Sequence, residues 1–392
     1  MGHPPHRRGH DRQTSALIRL DPLFACGIDA HHVVPARERH AHANDTTPPV
    51  QTGSVRSVGV QRLFPGSFAF VMATGIIAVG CDQHDLRSAA IVLFWLAAVG
   101  YVVLTVMTVL RVITFPSEVL GDLSDHATSF AFLTQVAATN VLGAAAGTVM
   151  AWWTAATVLW WVSLPLWVLW LYAGLLVEIT SADKPDLGRG VDGTWFMLTV
   201  STASIAALGA LLVGRWETPL VAFLAVAALC LGTVQYVIVM TMVFMRWSLR
   251  VVVPSHPPEW IATGAMAITA LAGAELVAVA GRVMLLGPLD PFVRGLTVLA
   301  WATSSFWFPL LIGLGVWRHV IKREPLSYST ALWSMVFPLG MYSVASFRVF
   351  EVLGVPDLRW VPLLALAMAA AAWLPTFVGM LRSPLRSSTG AH

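Results

Sequence analysis

The sequence predicts an all-α integral membrane protein with ten transmembrane helices, and three observations support that prediction. Of its 392 residues, 57% are hydrophobic and only 11% are charged, whereas soluble domains carry about 25% charged residues. The mean hydropathy is +0.71. Ten apolar stretches reach the roughly 20 residues that a spanning helix needs. A large soluble enzyme, a disordered scaffold and a nucleic-acid-binding protein are therefore excluded as descriptions of the whole chain.

Residues 1–62 differ in composition from everything that follows them. They hold eight arginines and seven of the twelve histidines, and no apolar run among them reaches spanning length. This composition predicts a disordered, basic amino-terminal tail and not a signal peptide or a span. A His-rich tract can also bind a transition metal, but an irregular basic tail is the simpler interpretation. Residues 63–382 then form the ten-helix membrane domain, and residues 383–392 form a short carboxy-terminal tail.

The spans follow one another with short connections that contain proline, glycine or charged residues, such as Lys184-Pro185-Asp186. We expect their boundaries to be accurate to about three residues. The ten predicted spans are residues 64–80, 89–110, 128–149, 152–177, 194–213, 219–244, 259–280, 292–317, 327–350 and 360–381.

The distribution of lysine and arginine predicts which ends of the spans face the cytoplasm. If the amino terminus is inside, 18 of the 24 basic residues lie in the tail and the inner loops, and six lie outside. Cytoplasmic loops are expected to carry this excess. An even number of spans puts both termini on one side, so both are predicted to be cytoplasmic, in a plasma membrane. The net charge of +3 is then a signal of topology, and nucleic-acid binding is not needed to explain it.

The odd-numbered spans begin near residues 64, 128, 194, 259 and 327, so the chain repeats about every 65 residues. The tetrapeptide Ser-Phe-Ala-Phe occurs in two of these starts, at Ser67–Phe70 and Ser129–Phe132. Each repeat contains two spans, so successive repeats have the same orientation, unlike the inverted repeats of many secondary transporters. The chain is thus predicted to contain five parallel helix-pair repeats.

The two helices of each pair differ in polarity. Even-numbered spans are strongly apolar, and the fourth contains six tryptophans. Odd-numbered spans contain small and hydroxylated residues, which are costly to expose to lipid and should face protein or water. This predicts five odd helices around a central pore and five even helices outside them. The predicted pore-lining residues are Thr74, Gln135, Thr139, Ser201, Thr269, Ser334 and Met341.

A packed centre is the alternative to a pore, because small and hydroxylated residues also mediate ordinary packing between membrane helices. The GxxxG sequence at Gly143–Gly147 indicates packing more than function. Five such helices in register favour the pore.

The sequence lacks the usual signatures of catalysis and of metal binding. It contains no HExxH, GxSxG, Walker or GxGxxG motif. Cys26, Cys81 and Cys230 are scattered and predict neither a disulfide framework nor a zinc site. We therefore expect no enzyme activity, no metal and no cofactor.

Ionisable residues are missing from the middle of the spans and appear near their predicted outer ends. Glu275 lies about 24 Å along the seventh span and Arg348 about 31 Å along the ninth, at a rise of about 1.5 Å per residue. With both termini inside, Glu275, Arg282 and Arg348 would lie at the outer mouth, and Glu351 could pair with them. A salt-bridge cluster is the plainer interpretation. The functional alternative is an outer vestibule in which Arg348 attracts anions.

The ninth span contains a candidate gate. Phe337 precedes Pro338, and a proline bends a helix because it removes a backbone hydrogen bond. The bend could push the Phe337 ring into the axis, where a hydrophobic plug excludes water. Core packing is the common explanation for such a phenylalanine. Steps of three and four residues place it on one face with Thr330, Ser334, Met341, Val344 and Arg348.

Three motifs resemble the helices of a known family. Leu63–Ile77, Phe306–Leu310 and Trp333–Leu339 are similar to the first, eighth and ninth helices of the tellurite-resistance/dicarboxylate transporter family. The resemblance covers about residues 62–382. That family includes bacterial tellurite-resistance proteins, fungal malate and sulfite transporters and plant slow anion channels. The resemblance implies a homotrimer with one pore per protomer, lined by the odd helices. It also implies a gate at the phenylalanine before the ninth-helix proline, which is Phe337.

One departure from the family pattern bears on the pore radius. Inner helices of that family are typically kinked by prolines, whereas the third, fifth and seventh spans have none at mid-span. Gly143, Gly209 and Gly273 are the candidates for bends in their place.

Two kinds of transport remain compatible with the sequence. The first is a gated channel for small anions such as chloride, nitrate, dicarboxylates or sulfite, to which weak hydroxyl donors are suited. The alternative is a proton-coupled transporter of a C4-dicarboxylate (malate) or of sulfite, which could use Glu275. The lack of an ionisable residue at mid-depth favours the channel. A receptor or structural protein without flux is disfavoured by the polar odd helices, and nothing in these residues recognises tellurite.

Overall fold

The computed structural model describes residues 59–182, 184–249, 257–325 and 327–387. The predicted amino-terminal tail lies outside the described residues except for its last four, and so do the last five residues of the chain. In the described part every regular element is a helix. Ten of these helices are long and apolar enough to cross a membrane. The all-helical fold with ten candidate spans is thus confirmed.

The ten spans agree with the predicted ones to within five residues at each end. Two short helices, Pro116–Ser124 and Leu187–Gly190, lie in the connections and were not expected, because few apolar residues mark them. The spans are α1 (Pro65–Gln83), α2 (Arg87–Thr114), α3 (Ser129–Thr148), α4 (Trp153–Thr180), α5 (Gly193–Trp216), α6 (Pro219–Leu249), α7 (Pro257–Ala278), α8 (Asp290–Ile321), α9 (Thr330–Leu353) and α10 (Pro356–Ser383).

The ends of these helices follow from local sequence. Pro65 and Pro219 occupy first-turn positions, where a missing N–H costs nothing and the fixed φ suits a helix. The Asp192 side chain accepts a hydrogen bond from the Thr194 N–H at 2.8 Å and so caps α5. Gly354 ends α9 in the left-handed region at φ 69°, a conformation that glycine adopts without a steric penalty.

Burial separates the odd helices from the even ones. In the most apolar part of each odd helix, 72% to 94% of the residues are buried, against 17% to 33% in each even helix. The odd helices therefore form the inner layer of the bundle, and the even helices present apolar side chains to its surroundings.

The inner helices contact one another in a closed ring, in the order α1, α3, α5, α7, α9 and back to α1. Each outer helix packs against the inner helix that precedes it in the chain and also against the next inner helix around the ring. A ring of this kind has one central axis. Any path through the protein interior would have to pass the side chains that face that axis.

Candidate functional site

Aromatic residues of the outer helices donate hydrogen bonds to polar side chains of the inner helices. A buried indole N–H needs an acceptor, and the hydrocarbon of a membrane supplies none. The acceptors here are inner-helix oxygens at 2.9 to 3.1 Å: Trp373 to Thr74, Trp170 to Gln135, Trp167 to Thr202 and Trp301 to Ser346. The Tyr101 and Thr139 hydroxyls form a similar bond at 2.8 Å.

These bonds determine where several of the predicted pore-lining residues lie. Thr74, Gln135 and Thr139 direct their polar atoms at outer helices and not at the axis. Ser201 and Thr269 donate to carbonyls of their own helices, at 3.2 and 2.7 Å. The hydroxyl content of the odd helices therefore reflects their contact with the outer layer more than it reflects a polar lining.

Helix geometry then identifies the side chains that face the axis. Because successive residues are about 100° apart, a residue two positions from an outward-facing one points to the opposite side. On α1 this places Met72 and Ile76 opposite Thr74, and on α5 it places Val200 opposite Thr202. On α9, Ser343 donates to the Pro362 carbonyl of α10 at 2.7 Å. On α7, Gly273 packs on Thr297 of α8, so Leu271 lies on the opposite side, with Ile268 one turn before it. The axial residues identified in this way are Met72, Ile76, Ala137, Val141, Val200, Ile268, Leu271 and Met341.

Phe337 lies on the axial side of α9. It is nine residues, or two and a half turns, from Ser346, which faces Trp301 of the outer helix α8. Its side chain is only 1% exposed. Met72, Val200, Ile268 and Met341 are buried to the same extent. Ser334 lies on the same side of α9, one turn nearer the start of the helix.

Pro338, which follows Phe337, lies inside α9 and packs closely on α7. A Cβ atom on Gly264 would lie 2.9 Å from the Pro338 Cγ atom. The two helices can approach this closely because Gly264 has no side chain. At the level of Phe337 and Pro338, α7 therefore presents the backbone of Gly264 to α9 and no side chain.

Gly143, Gly209 and Gly273 are also positions of close packing. A Cβ atom on Gly143 would lie 2.6 Å from a Leu208 methyl group, and one on Gly209 would lie 3.2 Å from the Trp160 indole nitrogen. A Cβ atom on Gly273 would meet Thr297 of α8. Close contact with neighbouring helices accounts for these glycines without a bend.

Asn140 of α3 connects three helices at mid-depth. Its Nδ2 donates to the Ser204 hydroxyl of α5 at 3.0 Å, and its Oδ1 accepts from the Ser163 hydroxyl of α4 at 2.9 Å. The Asn140 side chain is buried. This polar bridge was not singled out from the sequence, because its partners are 23 and 64 residues away.

Replacing Asn140 with alanine is expected to lower the free energy of unfolding by about 1–2 kcal/mol, because its two hydrogen bonds to other helices are lost. Thermal unfolding of the detergent-purified protein measures this loss. Ser163→Ala removes only one of the two hydrogen bonds that Asn140 forms with other helices and is expected to cost less. Equal melting temperatures for Asn140→Ala and the unmodified protein would contradict the bridge's structural role.

Charged residues gather at the end of the bundle where the inner helices finish. Arg348 of α9 donates two hydrogen bonds to Glu275 of α7, Nε to Oε1 at 2.6 Å and Nη2 to Oε2 at 2.9 Å. Its Nη1 also contacts Glu351. The Arg348 side chain is 22% exposed and that of Glu275 is 8% exposed. Arg282 does not join them and donates instead to the Gly214 carbonyl at 2.7 Å.

This mouth cluster (Glu275, Arg348 and Glu351) carries one positive and two negative charges. These three groups pair as expected, whereas Arg282 does not pair with them, because it follows α7 into a loop and reaches the end of α5. His84 packs edge-on against Phe347 at 5.4 Å near this end. Burial lowers the pKa of His84, against the opposing effect of Asp85, which favours the neutral ring.

Ion pairs also occur at the opposite end, where the inner helices begin, which we call the basic end. Arg246 pairs with the buried Glu259 at 2.7 Å. His126 lies 2.8 Å from Glu178, which also accepts from the Ser129 hydroxyl at 2.7 Å. These pairs join the ends of outer helices to the starts of inner ones. Charged residues at span boundaries were visible in the sequence, but their partners were not.

Comparison with known proteins identifies a matching family and several similar proteins. The family model described as voltage-dependent anion channel (SLAC1) matches residues 62–381. An uncharacterized membrane protein of Mycobacterium tuberculosis is 39% identical over 148 residues, which is 37% of this chain and 75% of that protein. An uncharacterized transporter of Methanocaldococcus jannaschii is 25% identical over 313 residues, 75% of this chain and 85% of that protein. A second one from the same organism is 22% identical over 301 residues, 73% and 84% of the two chains.

Proposed function

Because this chain belongs to the voltage-dependent anion channel family, we propose that it passes small anions across the membrane along the axis of its inner helices. Membership makes the protein a membrane transporter or channel, and the resemblance to the tellurite-resistance/dicarboxylate transporter family is confirmed by the match. The passage, its gate and its direction in the membrane are our proposals.

The buried position of Phe337 on the axis is the observation that carries this proposal. It is the bulkiest axial side chain among those identified, and it directly precedes the proline that interrupts the backbone hydrogen bonding of α9. An apolar constriction stops ions by excluding the water that they need. We therefore propose Phe337 and Pro338 as the gate, which blocks the passage while the Phe337 ring stays buried.

The end of the axis where the inner helices begin favours anions because of the orientation of those helices. The five inner helices all begin at the basic end, so their partly positive amino-terminal ends point the same way. We place this end in the cytoplasm, with both chain termini, in the plasma membrane, because cytoplasmic loops carry the excess of lysine and arginine. Ser334 and Met341 are the predicted lining residues that keep this role, and the mouth cluster forms the outer vestibule.

Planar-bilayer recording from the purified protein tests the proposal. Under chloride, nitrate and malate gradients, any current through the protein should reverse near the equilibrium potential of the anion. Heat-unfolded protein reconstituted in the same way serves as the control. Currents that reverse at the cation potential would contradict an anion passage.

A second candidate function is supported by Glu275, a nearly buried carboxylate next to the axis. In a coupled carrier, protonation of such a group accompanies the movement of the substrate. The protein would then transport a C4-dicarboxylate such as malate, or sulfite, together with protons. Uptake into proteoliposomes under an imposed proton gradient tests this. Uptake that follows the proton gradient and is lost in Glu275→Gln would favour the carrier over the channel.

The assembly that we propose is a homotrimer with one passage in each protomer. Its support is the family resemblance, together with the long rows of exposed apolar side chains on the outer helices, which can face lipid or a neighbouring protomer. The mass of the detergent-free particle in native mass spectrometry gives the number of chains.

Replacing Gly264 with alanine is expected to raise the anion conductance several-fold. The new methyl group would lie 2.9 Å from Pro338, so it strains the packing of α9 against α7 in the closed state. An open state in which α9 moves away from α7 would be free of that strain. Single-channel recording of the variant measures the open probability. An unchanged or reduced open probability in folded protein would contradict this view of the closed state.

A further inference from the structure

A large cleft lies between the start of α9 and the end of α10, away from the axis. Its volume is about 790 Å³. The residues that define it are Tyr328, Leu332, Met335, Ala372, Val378 and Arg382. Neither the proposed passage nor the mouth cluster uses any of them.

The chemistry of the cleft changes along its length. Met335 and Ala372 are half-buried apolar residues farther along α9 and α10 from the basic end, whereas Ser327, Arg382 and Ser383 lie at that end. Arg382 is ten residues beyond Ala372 on α10, a distance of about 15 Å along a helix. A ligand that fits this gradient is an amphiphile with an apolar chain inside the bundle and a polar group near Arg382.

Of the described residues that line the cleft, only Arg382 is charged, so the polar group that fits there is an anion. Among the residues that the structure describes, each carboxylate at this end already has a partner of its own. Glu324 pairs with Arg318, Glu259 with Arg246, and Asp122 with Arg111. Glu178, Glu118, Asp125 and Asp192 are hydrogen-bonded, and Asp186 also has a partner.

Arg382 has no ion pair with any of these described carboxylates, and its side chain is exposed at the mouth of the cleft. Lys322 and Arg323 lie just before Pro325, which also lines the cleft. The site therefore combines an apolar groove with an excess of positive charge at one end.

We propose that this cleft binds an anionic phospholipid, with its phosphate at Arg382 and an acyl chain along Leu332, Met335 and Ala372. Basic pockets between membrane helices on the cytoplasmic side bind anionic headgroups in this way. Because α9 carries Phe337 and forms one wall of the cleft, the bound lipid contacts the helix that holds the gate.

Native mass spectrometry of the purified protein in defined lipid mixtures tests the site. The probes are phosphatidylglycerol and phosphatidylcholine with identical acyl chains. The unmodified protein should retain phosphatidylglycerol in preference to phosphatidylcholine. Arg382→Ala should lower phosphatidylglycerol retention about fivefold, the effect expected for one basic residue at a lipid surface.

Two further variants test whether the effect is specific to Arg382 and to the cleft. Arg359→Ala removes an exposed arginine at the other end of α10 and should leave retention unchanged. Ala372→Phe fills the apolar part of the cleft and should reduce the retention of both lipids. Both variants also show whether a loss reflects misfolding, because their helical content and melting temperature can be compared with those of Arg382→Ala.

Three results would overturn the proposal. The first is equal phosphatidylglycerol retention in Arg382→Ala and in the unmodified protein. The second is displacement of the lipid by millimolar inorganic phosphate, which would mean that the site recognises a free anion. The third is a smaller oligomer in Ala372→Phe with lipid retention intact, which would mean that another copy of the chain fills the cleft.

Discussion

Replacing Phe337 with alanine is expected to raise the anion conductance by about tenfold or more. The change removes the bulkiest identified side chain from the axial surface at the level where Met72 and Val200 are also buried. Water can then enter the constriction, and the barrier that desolvation imposes on an ion falls. A barrier lower by about 1.4 kcal/mol already corresponds to a tenfold higher rate.

Phe350 supplies the matched control for this experiment. It lies on the same helix and is buried, but it packs on Trp301 of the outer helix α8 at a centroid distance of 5.2 Å. Removing a buried phenylalanine costs about 3–5 kcal/mol of stability. Phe350→Ala should therefore destabilise the protein by a similar amount without raising the conductance.

Paired bilayer recordings of the two variants, with melting temperatures measured alongside, separate gating from loss of structure. A folded Phe337→Ala protein with unchanged conductance would remove Phe337 from the gate. Equal increases in both variants would mean that loosened packing, and not the axial position of Phe337, controls the current.

The division into inner and outer helices could be predicted from the sequence because helices exposed to lipid have a more apolar composition than buried ones. Apolar spans such as α2 face outwards, whereas spans with hydroxyl groups lie inside. The reason for the hydroxyl groups could not be predicted. Thr74 was expected to face a pore, but it accepts from Trp373, which is 299 residues away. The sequence does not distinguish a hydroxyl group that accepts a hydrogen bond from an indole from one that lines a passage.

For the candidate gate and the mouth cluster, too, the sequence shows the pattern within one helix but not the contacts between helices. Spacing along α9 was sufficient to place Phe337, Met341 and Arg348 on one face, because that face is a property of one helix. The role of Gly264 depends on how closely α7 approaches Pro338, and no local pattern encodes that approach. The partner of Arg348 was predicted because charged residues are scarce in the spans, so few alternatives to Glu275 existed.

Replacing Arg348 with alanine is expected to lower the anion conductance about tenfold and to shift the reversal potential towards that of the cation. The mouth cluster now has a net charge of −1, because Arg348 offsets one of the two carboxylates that it contacts. Without Arg348 the net charge becomes −2. In a partly buried site an added charge changes the energy of a nearby ion by a few kcal/mol, which is enough for an effect of this size.

The electrostatic origin of that loss can be isolated with a second substitution. In the double variant Arg348→Ala, Glu275→Gln, only Glu351 remains charged, so the net charge returns to −1 and the conductance should largely recover. Arg294→Ala removes a positive charge at the same end, where Arg294 pairs with Asp290 on the outer helix α8 at 2.8 Å, and should have little effect. The loss should also shrink at 1 M salt, where the screening length falls to about 3 Å. If the double variant stays as poorly conducting as the single one, Arg348 acts by shaping the mouth and not by its charge.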